Sequence, residues 1–262
     1  MIDYHMHSDF SADGKQTIED IGNTAEAMGL KEIAITDHSD LEYPYDMTFA
    51  FDFEARAKVI QNEREKHPNL KIRDAIEIGT MPETKQDYVN LIKSYPFDFV
   101  ILSIHVVDGV DPYYHTYFEG RSREDAFRAY LEAILQSVTD FKSYSVVGHI
   151  GYAARFADGD NRSIQYEDFP ELIDAILKTV IKNGKGIEVN TKGISTVGET
   201  LPSRSILARY YELGGEIITV GSDAHVSERI GDRVFETIQM LKNIGFKSIT
   251  TFEKQKPIQI EI

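Results

Sequence analysis

The chain has 262 residues, 42% hydrophobic and 27% charged, with 43 acidic against 28 basic side chains and a formal net charge of −15. That balance argues against broad electrostatic binding to nucleic acid or to an anionic membrane, and the lack of cysteine excludes disulfides, thiolate zinc sites and iron–sulfur clusters. No stretch reads as a run of ~20 apolar residues or as a charged-then-apolar leader, so a cytoplasmic protein with no membrane and no nucleic-acid partner is expected.

From Ile2 onward, short β-rich runs alternate with longer helical patterns. Strands are expected over 2–5, 32–36, 71–77, 98–104, 145–149, 186–190 and 216–222. Helices are expected over 17–28, 52–66, 84–94, 122–141, 167–183, 202–213 and 232–244. Gly29 and Gly184 stand where helices stop, and Pro202 suits the first turn of its helix. Seven strand–helix alternations read as parallel βαβ units, at a length that α/β barrels often use for one domain. No linker rich in Pro, Gly or Ser interrupts them, so residues 1–262 read as a single domain. The last segment, PIQIEI at 257–262, alternates and fits a final strand or an edge tail, leaving seven or eight strands open. The connections 39–51 and 106–121 carry Tyr, Phe, Asp and Pro and read as loops over a site.

The opening stretch, MIDYHMHSDFSADG, places His5 and His7 two apart at the end of the first strand. Alternate strand residues share a face, so both imidazoles project together, with Asp13 shortly after. His38, His105, His149 and His225 also fall at or just past predicted strand ends, as do Glu77 and Asp223. In a parallel barrel those ends gather on one rim, where active sites are built. Singly, each has a plain structural reading: His38 beside a strand turn, His105 and His149 as buried imidazoles bonded to backbone. Six of the eight histidines in such positions make independent burial a poor explanation. His67, at a helix end beside Pro68, and His115, in a Tyr-rich loop, stand outside the set. Imidazole and carboxylate without thiolate suit Zn, Mn or Fe. Nine ligands are too many for one ion and a carboxylate can bridge two, so two or three divalent metal ions are expected. Metal centres roughly 3.5–4 Å apart recur in phosphate-cleaving enzymes, and bound cations would invert the local field for an anionic substrate.

With HMH at 5–7, ADG at 12–14, TDH at 36–38, Glu77 in AIEIG, SIH at 103–105, GHI at 148–150 and SDAH at 222–225 in that order, the chain resembles the polymerase-and-histidinol-phosphatase (PHP) superfamily of metal-dependent phosphoesterases. Within it, the length and the segment 188–205 are most similar to the histidinol-phosphate phosphatases of histidine biosynthesis. The resemblance implies a distorted (β/α)7 TIM-like barrel with its active site at the C-terminal ends of the strands. It groups His5, His7, Glu77 and Asp223 around one metal, the shared Glu77 with His105 and His149 around a second, and Asp13, His38 and His225 around a third. It marks His38, Glu77, Asp223 and His225 as the catalytic set without naming a general acid. An Arg after the Gly-His motif, here Arg155, is expected to grip the substrate, with a second cation after the Asn-Thr motif left open between Lys192 and Arg204.

The reaction implied is hydrolysis of a small phosphorylated substrate, L-histidinol phosphate, to L-histidinol and phosphate by a metal-bound hydroxide. Acidic groups around Asp40, Glu42 and Asp46 are candidates for holding the substrate amine. Four other readings compete: a PHP enzyme for another small phosphoester or nucleotide, a nuclease or polymerase-associated module of the same superfamily, an amidohydrolase-type C–N hydrolase, and a non-catalytic metal-binding or regulatory barrel, against which the complete set of nine ligands weighs. The acidic balance without a basic stripe weighs against the nuclease. Asp13 and the second imidazole of SDAH weigh against the amidohydrolase.

Overall fold

The computed structural model describes residues 1–160 and 162–262. In chain order these form β1 (Ile2–Asp3), α1 (Ile18–Ala27), β2 (Glu32–Ile35), β3 (His38–Ser39), α2 (Phe53–Lys66), β4 (Lys71–Gly79), α3 (Lys85–Ser94), β5 (Phe99–Ser103), α4 (Arg123–Asp140), β6 (Val146–Val147), α5 (Pro170–Lys182), β7 (Gly186–Asn190), α6 (Lys192–Val197), α7 (Arg204–Glu212), β8 (Ile218–Gly221), α8 (Val234–Ile244), β9 (Ser248–Glu253) and β10 (Lys256–Glu261).

Strands β1, β2, β4, β5, β6, β7 and β8 lie side by side in that order, with β3 prolonging the second position by pairing with β4. Every one of these pairings is parallel. The outer strands then meet. Tyr4 N–H donates to Val220 O at 3.0 Å, Asp223 N–H to His5 O at 2.8 Å and His7 N–H to Ala224 O at 2.8 Å. The sheet is thus nearly closed into the seven-position barrel that the alternation of strands and helices implied. Strands β2, β5 and β7 are buried along their whole lengths, as a parallel sheet covered on both faces requires. Several helices start on the residues their caps predict: Thr17 forms a capping box with Asp20, Asp52 accepts from Ala55 N–H, and Ser122 accepts from Asp125 N–H. Pro202 does not enter its helix; it follows Leu201 through a cis peptide bond and stands just before Ser203, the cap of α7. Among the described residues no helix is long and apolar enough to cross a membrane.

The 257–262 segment forms β10, antiparallel to β9 in a separate two-stranded sheet. Strand β9 itself was not foreseen. Its turn to β10 puts Lys254 and Gln255 in left-handed backbone, at φ 49° and 60°, the type I′ geometry that usually advertises itself by Asn-Gly. Without those residues the sequence carries no turn signal. The hairpin covers the N-terminal end of the barrel, away from the rim. Gln255 N–H donates to Asp98 O at 2.8 Å, Phe252 N–H donates to Tyr4 Oη at 2.9 Å, and the Phe252 ring packs 5.0 Å from that of Phe99. Removing a buried Phe side chain costs about 3–5 kcal/mol. Phe252→Ala should therefore lower the thermal unfolding midpoint clearly while leaving kcat and KM of the folded fraction unchanged. An unaltered midpoint would make the hairpin a loose appendage.

Candidate metal centre

Barrel register delivers the side chains. His38 in β3 pairs with Glu77 in β4, His105 and His149 lie just past β5 and β6, and Asp223 and His225 just past β8. The segment after β8 is held by Asp3, whose Oδ1 accepts from Ser222 N–H at 2.9 Å and whose Oδ2 accepts from Ser222 Oγ at 2.5 Å and Gly231 N–H at 2.8 Å. Asp223 sits at φ 54°, a left-handed conformation that Asp tolerates better than most residues and that tends to gather at functional sites. The ADG turn needs its glycine, because a Cβ on Gly14 would collide with the carbonyl of Ser8.

Glu77 is the hub. Its Oε2 lies 3.0 Å from His5 Nε2, 3.5 Å from His7 Nε2 and 3.1 Å from His38 Nδ1. Its Oε1 lies 2.7 Å from His149 Nε2 and 3.4 Å from His105 Nε2. Asp223 Oδ1 is 3.5 Å from His7 Nε2 and 3.9 Å from His5 Nε2. Asp13 Oδ2 is 3.0 Å from His225 Nε2 and 3.8 Å from His38 Nε2. The nine side chains singled out from the sequence as ligands thus lie together, and six of them form three overlapping groups, His7–His38–His225, His5–His7–Glu77 and His38–Glu77–His105, joined at Glu77, His7 and His38. His67 and His115 lie elsewhere, against Glu26 and Asp158.

The donor set fits divalent cations. Nε2 of His5 faces Nε2 of His7 at 3.0 Å, and those of His105 and His149 face each other at 3.4 Å. Asp13 Oδ1 is buried without a hydrogen-bond partner, and His38 Nδ1, although 3.1 Å from Glu77 Oε2, is not aligned to hydrogen-bond with it. Buried lone pairs aimed at one another are costly unless a hydrogen or a metal ion lies between them. Two of the rings are also held from behind: His5 Nδ1–H donates to Glu188 Oε1 at 2.5 Å and His105 Nδ1–H to Asp40 Oδ2 at 2.7 Å. Each bond leaves Nε2 with its lone pair toward the centre, as in metal-ligating histidines.

Electrostatics agree. Burial opposes charge on His5, but Glu188, Glu77 and Asp223 outweigh it and hold its pKa well above that of free imidazole. The field that favours a proton there favours a metal cation in its place. Burial and the neighbouring His38 and His225 hold His7 well below its ordinary value, as a neutral ring with a free lone pair. Burial alone would raise Glu77 and Asp223. Instead His5 and His38 hold Glu77, and Lys192 and His5 hold Asp223, well below the usual carboxylate range.

A cavity of about 380 Å³ opens over this centre. Arg155 and Lys192 line it: Arg155 Nη1 donates to Asp223 Oδ2 at 3.4 Å, and Lys192 Nζ donates to Asp223 O at 3.2 Å and lies 3.2 Å from His225 Nδ1. Arg204 does not. It is the exposed first residue of α7, its backbone N–H bound to Glu199, so of Lys192 and Arg204 only Lys192 lines the cavity. Of the acidic trio, Asp40 lines the cavity, but its oxygens accept from Gly79 N–H and His105; Glu42 and Asp46 are not in the wall. The acid facing the cavity on the far side is Asp111, which accepts from Tyr43 Oη at 2.7 Å and Tyr152 Oη at 3.1 Å. Tyr113, Tyr114, Phe49 and Phe156 complete an aromatic wall. Sequence reasoning missed Asp111, which lies in a loop without a motif, and Glu188, a carboxylate between Ile187 and Val189 in β7.

Comparison with known proteins points the same way. The family model described as the PHP domain matches residues 3–192. The histidinol-phosphatase of Lactococcus lactis subsp. lactis is 31% identical over 257 residues, covering 97% of this chain and 95% of its own. A probable histidinol-phosphatase of Clostridium acetobutylicum is 31% identical over 255 residues, covering 97% and 98%. A crystal structure of the L. lactis histidinol phosphate phosphatase, complexed with Zn, L-histidinol and phosphate, superposes with a TM-score of 0.92 at 30% identity, covering 98% of each chain.

Proposed function

The chain belongs to the PHP domain family, and from that premise we propose that it is a metal-dependent histidinol-phosphatase, hydrolysing L-histidinol phosphate to L-histidinol and phosphate. The observation that carries the reading is one cavity whose wall brings together seven of the nine donors, the cations Arg155 and Lys192 and an aromatic face with an acid, with His5 and His7 buried just behind Glu77.

His5, His7, Glu77 and Asp223 would hold one divalent ion, Glu77 with His105 and His149 a second, and Asp13, His38 and His225 a third. Zn, Mn and Fe all suit this mixture of imidazole and carboxylate. Bound ions would act as Lewis acids on the phosphoryl group and lower the pKa of water toward ~7. The chain's own groups do the rest. Arg155 presents a planar fork for two phosphate oxygens and Lys192 a point charge; both now lean on Asp223 and can turn to an arriving phosphate. Together they counter charge that accumulates on the phosphoryl oxygens in the transition state. Asp111, flanked by Tyr43 and Tyr152, suits a cationic amine or an imidazolium, and the rings around it offer faces on which an imidazole stacks. Residues 1–262 act as one catalytic unit, working in the cytoplasm on a small substrate and without nucleic acid; the net charge of −15 supports the last point.

The test is phosphate release from a panel of phosphomonoesters, with protein reconstituted separately with Zn, Mn and Fe. L-Histidinol phosphate should exceed generic esters by about 10²-fold in kcat/KM, a difference of about 2.7 kcal/mol in transition-state binding. Turnover of a phosphodiester or an amide, with every monoester slow, would leave the metal centre standing and remove the substrate.

A further inference from the structure

We infer that Glu188 is a positioning residue serving two ligand clusters at once: it presents His5 to one metal ion and anchors His149 for another. The inference rests on the metal-dependent reading above.

Glu188 lies in the middle of β7 and is 1% exposed. Its Oε1 accepts from His5 Nδ1–H at 2.5 Å, and its Oε2 accepts from the backbone N–H of His149 at 2.8 Å. One carboxylate therefore reaches a ligand of each of the two clusters that share Glu77 on their inner side. Among the described residues no lysine or arginine forms an ion pair with it; its single ion-pair partner is His5. The neighbouring strands leave room for it. A Cβ on Gly221 would fall 2.9 Å from Glu188 Oε1 and collide with the Cβ of His5, and one on Gly148 would collide with Ser103 Oγ and sit 3.6 Å from Glu188 Oε2. Neither glycine has the positive φ that would explain it by backbone conformation, so both are required for space, in part by this carboxylate.

An anionic acceptor at Nδ1 fixes the His5 tautomer with its lone pair on Nε2 and strengthens that nitrogen as a ligand. Losing such a partner typically costs about 10–100-fold in metal affinity. Glutamine has the same shape but one acceptor oxygen and an NH2 group. If its oxygen accepts from His5, its NH2 faces the His149 N–H, donor against donor; if it flips, the His5 bond is lost.

The experiment strips wild type and Glu188→Gln with a chelator and titrates each with Zn²⁺, then Mn²⁺, in competition with a chromophoric chelator. Equal stoichiometry is expected, with at least one site in the variant weaker by about 10–100-fold. Raising the metal concentration should restore kcat, with KM for the phosphoester little changed. Coincident isotherms, with only a lowered unfolding midpoint, would make Glu188 a packing residue and overturn the inference. Glu188→Asp, which keeps the charge but is one methylene short of bridging both partners, provides a second reading should the Gln variant fold poorly: it too must bind at least one ion more weakly, and a wild-type isotherm overturns the inference. Failure of the wild type itself to take up metal would remove the metal-dependent reading and this inference together; a wild type that binds, beside a variant that binds equally, removes this inference alone.

Discussion

Glu77→Gln should lower turnover by at least about 10³-fold, a loss of about 4 kcal/mol of transition-state stabilisation, and should release more metal than substitution of any single histidine around it. The reason is geometric. Glu77 places one oxygen among His5, His7 and His38 and the other between His105 and His149; it also accepts from Ser103 Oγ at 2.6 Å. Each histidine belongs to one side of this arrangement, but the carboxylate belongs to both. Glutamine fills the same volume, so the fold should persist, yet it removes the negative charge and puts an NH2 donor where an acceptor stood. Metal analysis of the dialysed variant and kcat on L-histidinol phosphate decide the matter. A variant with the wild-type metal content and wild-type kcat would show that the hub is a hydrogen-bonded buried acid with no part in the chemistry.

The barrel and its rim were legible because their signals are local. A strand that ends in His, followed by a capped helix, repeats along the chain, and parallel pairing then forces the strand ends together. What the sequence concealed depended on distant partners. Glu188 in GIEVN and Glu77 in AIEIG are written alike, each a carboxylate between two buried aliphatic residues. Nothing in either string says that one oxygen pair points into the centre while the other reaches the far nitrogen of His5. Lys192 and Arg204 differ for a similar reason. Lys192 directly follows the Thr191 cap of α6, a short helix that the sequence did not announce, whereas Arg204 opens α7 facing solvent. The β9–β10 hairpin was missed because its turn uses Lys254 and Gln255 in a conformation usually reserved for Gly or Asn.

Complete removal of divalent ions should abolish not only turnover, by the same factor of about 10³ or more, but also the binding of inorganic phosphate. The cavity is lined by five carboxylates, Asp13, Asp40, Glu77, Asp111 and Asp223, against three cationic side chains, Lys15, Arg155 and Lys192. Two of those cations are already engaged with Asp223. Setting the histidines aside, a phosphate dianion entering the stripped site meets a formal excess of two negative charges, within a protein that carries −15 overall. Two divalent ions supply four positive charges and reverse that sign; only then are Arg155 and Lys192 worth drawing away from Asp223. Calorimetric titration of phosphate into chelator-stripped protein should therefore give no measurable heat of binding, and readdition of Zn²⁺ or Mn²⁺ should restore it together with activity. Equal phosphate affinity with and without metal would mean that Arg155 and Lys192 hold the phosphate unaided. The acidic donors beneath them would then serve the chemical step alone.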